Sequence, residues 1–466
     1  MEGSAGAVRS SDKHSSSKHA APRGLAPLPQ LAAARARTDE LFGIVRREAL
    51  YDRPISERHR IIFYTGHLEA FDWNLLGRGH FALPAFDATF DQLFAFGIDP
   101  VGGGLPTDTP DDWPAREQVA AYNRRVRDAI DERLAASLDS NEERAAETAR
   151  LLHVAIEHRL MHAETLAYML HQLPTDRKIP HVDPPAPAGS PVKARMVRIP
   201  SGAATLGARR GEDGSFGWDN EFEEHVVEVP EFRIDAHKVT NGEFLNFVSS
   251  GAYRERSLWQ NADWDWLQSS GTSRPAFWSL RGDHAYLRTM FDEIPLPLDW
   301  PVYVSHAEAA AYARWAKKAL PSEAEWHRAA YGAPNELRGE QCAEKSERAF
   351  PWGNQAPEPV RGNFDFARWD PAPVTAYAAG ASAFGVEGLL GNGWEWTRTI
   401  FVPFPGFEPF AFYPGYSANF FDGRHFVMKG GSARTAACLL RRSFRNWFQP
   451  HYPFVYAGFR CVQRES

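Results

Sequence analysis

Between about residues 36 and 173, apolar side chains recur every three or four positions, the spacing of amphipathic helices. A first stretch, ARTDELFGIVRREAL, sets Leu41, Val45 and Leu50 on one side. A second, RHRIIFYTGHLEAFDWNLL, follows the breaker Pro54. A third opens at Trp113 and Pro114 and aligns Val119, Tyr122, Val126, Ile130 and Leu134. A fourth runs from about Asn141 to Leu173. Four such helices predict a bundle. The segment FGIDPVGGGLPTDTPDDWP, between the second and third, reads as a long loop of the kind that often carries function.

After Leu173 the texture changes. PTDRKIPHVDPPAPAGSPVKA is a Pro-rich spacer. From Arg195 onward short alternating segments (MVRIP, HVVEVPEFRID, FVMKGGS) are separated by loops rich in Gly and Trp. Two helices interrupt them: SHAEAAAYARWAKKA behind a Ser305 cap, and PSEAEWHRAAYG with Glu325 three residues after the Ser322 cap. This mixture predicts an α+β domain. The expected organisation is a disordered tail over 1–35, a helical bundle over 36–173, a Pro-rich linker over 174–194 and the α+β domain over 195–466. The tail, rich in Ser, Ala and His, lacks the apolar core of a secretory signal.

A length of 466 residues fits about two to four domains. Lys and Arg number 52 against 59 Asp and Glu, a net charge of -7, which argues against nucleic acid or an anionic membrane as main partner. No run of about 18 apolar residues predicts a membrane span. Cys342, Cys438 and Cys461 are odd in number and widely spaced. They predict no disulfide framework and fit a reducing, cytoplasmic location. The 15 Trp, 14 Tyr and 31 Phe are a high aromatic content, of the kind that lines pockets and interfaces.

The sharpest chemical feature is IEHRLMHAETL. His158 and His162 are four apart on a predicted helix, so both rings leave one face. Neutral imidazoles in that relation suit a divalent metal; two surface histidines are the plainer reading. The spacing is not HExxH, which excludes the zinc-protease pattern. His67 lies in another amphipathic helix, with Phe63 and Phe71 on its face. It is either a third ligand or a core histidine. Three histidines from two helices form a facial site with open positions for oxygen and substrate. Glu164, two residues past His162, points off that face, as a carboxylate orienting the ligands or as a solvated charge.

The stretches MVRIPSGAATLG, HKVTNGEFLNFV, WPVYVSHAEAAAYARWA, LPSEAEWHRAAYG, FPWGN, AFGVEGLLGNGWEWT, KGGSA and AGFRCV follow one another over roughly 195–463. In that order they resemble the formylglycine-generating-enzyme, or sulfatase-modifying-factor, fold, a C-type-lectin-like domain. The helical half, with His67 and the HxxxHxE run of His158, His162 and Glu164, resembles a DinB-type four-helix bundle. The pair is similar to the iron-dependent sulfoxide synthases of ergothioneine biosynthesis, whose relatives include ovothiol and selenoneine synthases. The resemblance implies that His67, His158 and His162 hold non-haem iron(II). It implies an O2-dependent reaction joining a chalcogen donor to the imidazole carbon between the two nitrogens of hercynine, the Nα-trimethylated histidine.

A trimethylammonium group donates no hydrogen bond and is recognised by ring faces. SFRNWFQPHYPFVYAGFR offers Phe444, Trp447, Phe448, Tyr452 and Tyr456. The family's Asn-Trp pair maps onto Asn446 and Trp447, with Asn446 toward the carboxylate and Trp447 toward the cation. Arg445 beside them reads as a structural or carboxylate-pairing residue. The family's proton-relaying tyrosine maps to Tyr413 or Tyr416.

The sequence also departs from these families. GGSARTAACLLRRS holds Cys438 alone, not the cysteine pair of a copper-dependent formylglycine-generating enzyme. WEWT (Trp394, Glu395, Trp396) reads as a fold signature, and Gly388 replaces an expected calcium-ligating Asn. Enzymes of the family that take γ-glutamylcysteine carry arginines in the loop after the second bundle helix, where GIDPVGGGLPTDTPDD has none. They carry Asp and Arg where Phe448 and Tyr452 stand. A dianionic dipeptide needs such cations. The arginine-free, Gly-rich loop and the aromatic wall therefore favour a selenosugar donor, and so a selenoneine synthase. Three alternatives remain: an ergothioneine-type sulfoxide synthase using cysteine or γ-glutamylcysteine, a non-catalytic sugar-binding module with idle histidines, and a bundle-type thiol transferase using the same histidines for zinc.

Overall fold

The computed structural model describes residues 27–95, 105–138, 142–211, 216–334 and 347–464. The helical periodicity yields α1 (Pro27–Gly43), α2 (Ile61–Asp72), a short α3 (Ala88–Leu93), α4 (Arg116–Leu138) and α5 (Glu142–His171). The four long helices pack as a bundle, α1 against α5 and α2 against α4, with α5 also meeting α2 and α4. Their apolar stripes form the core: Leu41 and Ile61 with Leu68, Val126, Ile130, Leu134, Leu152 and Leu166 are all buried.

The first helix corrects two expectations. It begins at Pro27, so residues 27–35 are not part of a disordered tail. Leu31 and Ala34 are buried, and Arg35 pairs with Asp131 at 2.7 Å. It also ends at Gly43, short of the predicted stretch. Val45 is buried instead in an isolated bridge to Lys178, and Leu50 in the turn that follows. Residues 1–26 lie outside the described residues.

One charge cluster sits inside the bundle. The buried Arg159 on α5 donates to Glu69 at 2.9 Å and to Asp72 at 2.7 Å, both on α2. Burial raises the Asp72 carboxyl; burial also opposes ionisation of Glu69, but the Arg159 and Arg127 guanidiniums together outweigh it and lower that carboxyl. Desolvation makes such a cluster poor net stabilisation, yet leaving one member unpaired is costly. It thereby fixes how α5 is rotated against α2.

The segment after α5 is tied down on both sides. Ile179 N–H donates to the Ile44 carbonyl (2.7 Å), and Trp369 N–H donates to Asp183 (2.8 Å). Beyond it come β1 (Met196–Ile199), β2 (Gly202–Leu206), β3 (His225–Val229), β4 (Phe232–Asp235), α6 (Asn241–Ser249) and α7 (Asn261–Ser270). Then follow β5 (Trp278–Arg281), β6 (His284–Arg288), β7 (Glu293–Pro295), α8 (His306–Trp315) and α9 (Glu323–Tyr331). The last strands are β8 (Trp394–Ile400), β9 (Phe426–Lys429), β10 (Asn446–Phe448), β11 (Ala457–Gly458) and β12 (Val462–Gln463).

These strands form small sheets, β1-β4-β12, β10-β9-β8-β11, β2-β3 and β5-β6-β7. β12 returns to pair with β4, which ties the end of the described chain to the start of this half. Both predicted caps are present, as Ser305–Glu308 and Ser322–Glu325 capping boxes on α8 and α9. In the turn before β8 the buried Lys238 ammonium donates to the Gly388 and Gly391 carbonyls and lies 3.1 Å from Glu395. A side-chain cation thus organises the loop that leads into Trp394.

No helix among the described residues is long and apolar enough to cross a membrane. Cys438 and Cys461 are free, and Cys342 lies outside the described residues.

Candidate metal centre and its aromatic surround

Phe63, His67 and Phe71 are spaced four apart on α2, so helical geometry lines them along one face. His158 and His162 do the same on α5, and the faces meet. His67 Nε2 lies 3.3 Å from His162 Nε2, which lies 3.1 Å from His158 Nε2. Among the described residues these three form the one group of His, Cys, Asp or Glu able to hold a metal, with ligand atoms within 4.8 Å of one another.

The tautomer of His67 follows from its surroundings. Its Nδ1–H donates to the Phe94 carbonyl at 2.7 Å, so its Nε2 lone pair faces the other two rings. Burial holds His67 down to about 4 and holds His158 and His162 well below the usual imidazole range. Three neutral rings converge their nitrogens where no proton bridges all of them. That donor set fits a divalent cation of the iron or zinc class. Phe63 stacks on His67 at 5.0 Å between centroids, and Phe71 on His158 at 3.4 Å, walling the centre with apolar rings.

Glu164 corrects the expectation placed on it. It is buried, and none of its described hydrogen bonds goes to an imidazole. It accepts from Trp394 Nε1 (2.7 Å), Thr435 Oγ1 (2.8 Å) and the Ser432 hydroxyl, all in the second half. Trp394 is therefore more than a fold signature: its indole N–H spans the two halves.

The two candidate tyrosines part company. The Tyr413 ring is 5.7 Å from Phe71 and 6.4 Å from His158, at the edge of the centre. Tyr416 is turned away: it stacks on Trp218 at 4.1 Å and its hydroxyl points to Met161 Sδ at 3.4 Å. Burial raises its phenol well above the usual range.

The predicted aromatic wall divides in two, because successive residues on a strand face opposite sides. On β10, Trp447 stacks on Phe401 at 4.2 Å and meets Tyr416 and Phe420 edgewise or tilted, each at 5.6 Å. Phe448 instead stacks on Tyr452 at 5.3 Å, and Tyr168 from α5 meets both. Phe444 is buried against Trp394 within the second half, and Tyr456 is buried between the halves, its ring 6.4 Å from Tyr168 and its hydroxyl beside the Ala167 carbonyl. Asn446 is half-buried, and its Oδ1 accepts from the Trp447 N–H at 2.8 Å. Arg445 is not available to a substrate: Glu323 takes its Nε (3.0 Å) and Nη2 (3.2 Å), and the Asn220 and Val402 carbonyls take Nη1.

Sequence reasoning missed Arg58. It is buried before α2, its guanidinium 5.2 Å from the Tyr452 ring centre and its Nε donating to the Tyr452 hydroxyl at 3.2 Å. Its charge helps burial hold His162 down. The available signal was an arginine lodged between Pro54 and an apolar helix start. The Gly-rich first part of the loop expected to matter, residues 96–104, lies outside the described residues. Just beyond it, Asp108 is paired with Arg53 and with Arg60 (2.9 Å).

Comparison with known proteins fits this geometry. Residues 30–166 match the DinB superfamily, and residues 184–465 match the sulfatase-modifying factor enzyme 1-like domain. The chain is 34% identical to the hercynine oxygenase of Mycolicibacterium thermoresistibile, covering 93% of each chain. It is 42% identical to that of Mycobacterium tuberculosis over 52% of this chain and 55% of that one. Ergothioneine biosynthesis protein 1 of Neurospora crassa is 29% identical over 90% of this chain, which spans 55% of the fungal protein. With a DinB-like bundle ahead of a formylglycine-generating-enzyme-like domain, and both matched along nearly its whole length to one relative, the chain belongs to the hercynine oxygenase family of enzymes.

Proposed function

We propose that the protein is a non-haem iron(II), O2-dependent enzyme that forms a carbon–chalcogen bond at the imidazole carbon of hercynine. The observation that carries this is the convergence of three buried, neutral imidazoles, 3.1 and 3.3 Å apart at successive Nε2 atoms. Iron(II) held by His67, His158 and His162 supplies the oxygen chemistry when bound. Phe63 and Phe71 exclude water beside those rings. Trp447, with Phe401, Phe420 and Tyr416 around it, offers ring surface to the trimethylammonium group. Asn446, whose oxygen is engaged, keeps its amide nitrogen to donate to the hercynine carboxylate. Tyr413, the tyrosine beside His158, passes a proton at its phenol oxygen. Glu164, Arg445 and Tyr416 hold these groups in place without touching substrate.

The donor follows from the other wall. Phe448 and Tyr452 present stacked rings with the buried guanidinium of Arg58 beside them, which suits a hydroxyl-rich, weakly charged donor such as a selenosugar. The reading is therefore selenoneine synthesis. A sulfur reading, with cysteine or γ-glutamylcysteine as donor, is favoured by the names of the relatives and by the presence of Arg58.

The test is an aerobic incubation of iron(II)-loaded protein with hercynine and competing donors, read by mass spectrometry. The donors are a selenosugar, its thio-analogue, cysteine and γ-glutamylcysteine. A selenium adduct from the selenosugar alone is expected. A sulfoxide from cysteine or the dipeptide moves the protein to the ergothioneine branch. No product from any donor overturns the enzyme reading in favour of a binding module.

A further inference from the structure

Three polar residues of α5 recur at intervals of seven: Glu157, Glu164 and His171. Seven residues are close to two helical turns, so they form one stripe with members about 10 Å apart. All three are buried, and each hydrogen-bonds to the second half. Glu157 accepts from Trp218 Nε1 (2.8 Å) and from Arg441 at both oxygens (2.8 and 3.0 Å). Arg441 continues to Glu221 (2.8 Å), which also takes the Ser443 hydroxyl (2.6 Å). Glu164 binds Trp394, Ser432 and Thr435. His171 donates from Nε2 to the Arg288 carbonyl (2.9 Å), and its Nδ1 accepts from Tyr456 (3.0 Å).

This stripe lies beside the ligands. His158 follows Glu157 by one position, and His162 precedes Glu164 by two. The partners of Glu164 belong to the framework that carries the substrate wall. Trp394 begins β8; Ser432 and Thr435 follow β9 directly; β9 pairs with both β8 and β10, which bears Asn446, Trp447 and Phe448. The spacing between metal and substrate wall is therefore set where α5 meets this sheet.

We propose that Glu164 is a positioning residue: the central pin of an α5 interlock that holds the β10 wall at a fixed distance from the histidine centre. The HxxxHxE run and the WEWT and GGS stretches are then parts of one joint, with two histidines facing the metal and the glutamate facing the sheet. The consequence for hercynine rests on the function proposed above; the interlock itself does not.

Wild type, Glu164→Ala and Glu164→Gln are compared by backbone hydrogen exchange and anaerobic hercynine binding of the iron(II)-loaded proteins, and by iron(II) titration of the metal-free ones. In Glu164→Ala, exchange over residues 426–448 rises at least tenfold while α2 and α5 stay protected. Iron(II) affinity stays within threefold and hercynine binds at least tenfold more weakly. Glu164→Gln, whose amide still accepts from Trp394 and pairs with the two hydroxyls, stays within threefold of wild type throughout. Unchanged exchange over 426–448 in Glu164→Ala overturns the proposal. So does a loss of protection spread equally through α2 and α5, or an iron(II) loss as large as the hercynine loss. If wild type itself binds no hercynine, the functional reading fails, and the exchange contrast still decides the interlock.

Discussion

In the bundle, residues four apart meet at the centre: Phe63, His67 and Phe71 on one helix, His158 and His162 on another. In the second half, Tyr413, Trp447 and Tyr452 come from a loop, a three-residue strand and the turn beyond it. The bundle side is held by long helices and a buried Arg159–Glu69–Asp72 cluster. The opposite side is held by ring stacking and by side chains such as Arg445, whose guanidinium lies 3.9 Å from the Phe404 ring. Under the proposed function, the contrast assigns one task to each side. Metal ligands need fixed, convergent lone pairs, which regular helices supply. Substrate recognition varies by loop and ring, which the second half supplies.

The contrast is broken most severely on the ligand side. Replacing His67, His158 or His162 with Ala lowers turnover at least ~10³-fold while circular dichroism stays that of the wild type, if the rings hold the metal. Arg159→Met is the next largest effect and tests the scaffold. Leaving Asp72 buried without its cation, and Glu69 with Arg127 as its remaining partner, costs about 3–5 kcal/mol, read as a lower urea midpoint.

On the opposite side the effects are graded. Tyr413→Phe lowers kcat by roughly 10²-fold, in the range of a positioned proton donor, whereas Tyr416→Phe changes it little. Trp447→Ala weakens hercynine binding by about 1–2 kcal/mol, near tenfold, with little change in donor KM. Tyr452→Ala does the reverse. Equal effects of both variants on both substrates would erase the division of the wall.

A separate effect is a pH slope at Asp370, which accepts from the Met290 N–H at 3.0 Å. Burial pushes the Asp370 carboxyl up to about 7, against 3.8 in the unfolded chain. Between those values the folded state binds more protons, so stability falls as pH rises. Asp370→Asn removes that fall, seen as urea midpoints that no longer decline from pH 4 to 7.

The same contrast explains what was legible in the sequence. The bundle and the convergence of its histidines were readable because helical period is local: His158 and His162 share a face whatever lies around them. The start of α1 was not, because Leu31 and Ala34 are small apolar marks in a stretch that reads as tail. The partners of Glu164 were hidden because Trp394, Ser432 and Thr435 are remote in the chain. Its place off the ligand face was readable; its destination was not. Arg58 escaped because cations were sought after the second helix and it lies before it. The split between Trp447 and Phe448 was implicit in strand alternation, yet those rings read as one wall because a three-residue strand leaves almost no pattern.

The central claim is that three helix-borne imidazoles hold one iron(II). Anaerobic titration of metal-free protein tests it most directly, run in parallel on His67→Ala, His158→Ala and His162→Ala. One equivalent bound by wild type, and stoichiometric binding lost in each variant with folding retained, is the predicted result. Stoichiometric iron(II) kept by any of the three variants, or none bound by wild type, would contradict it.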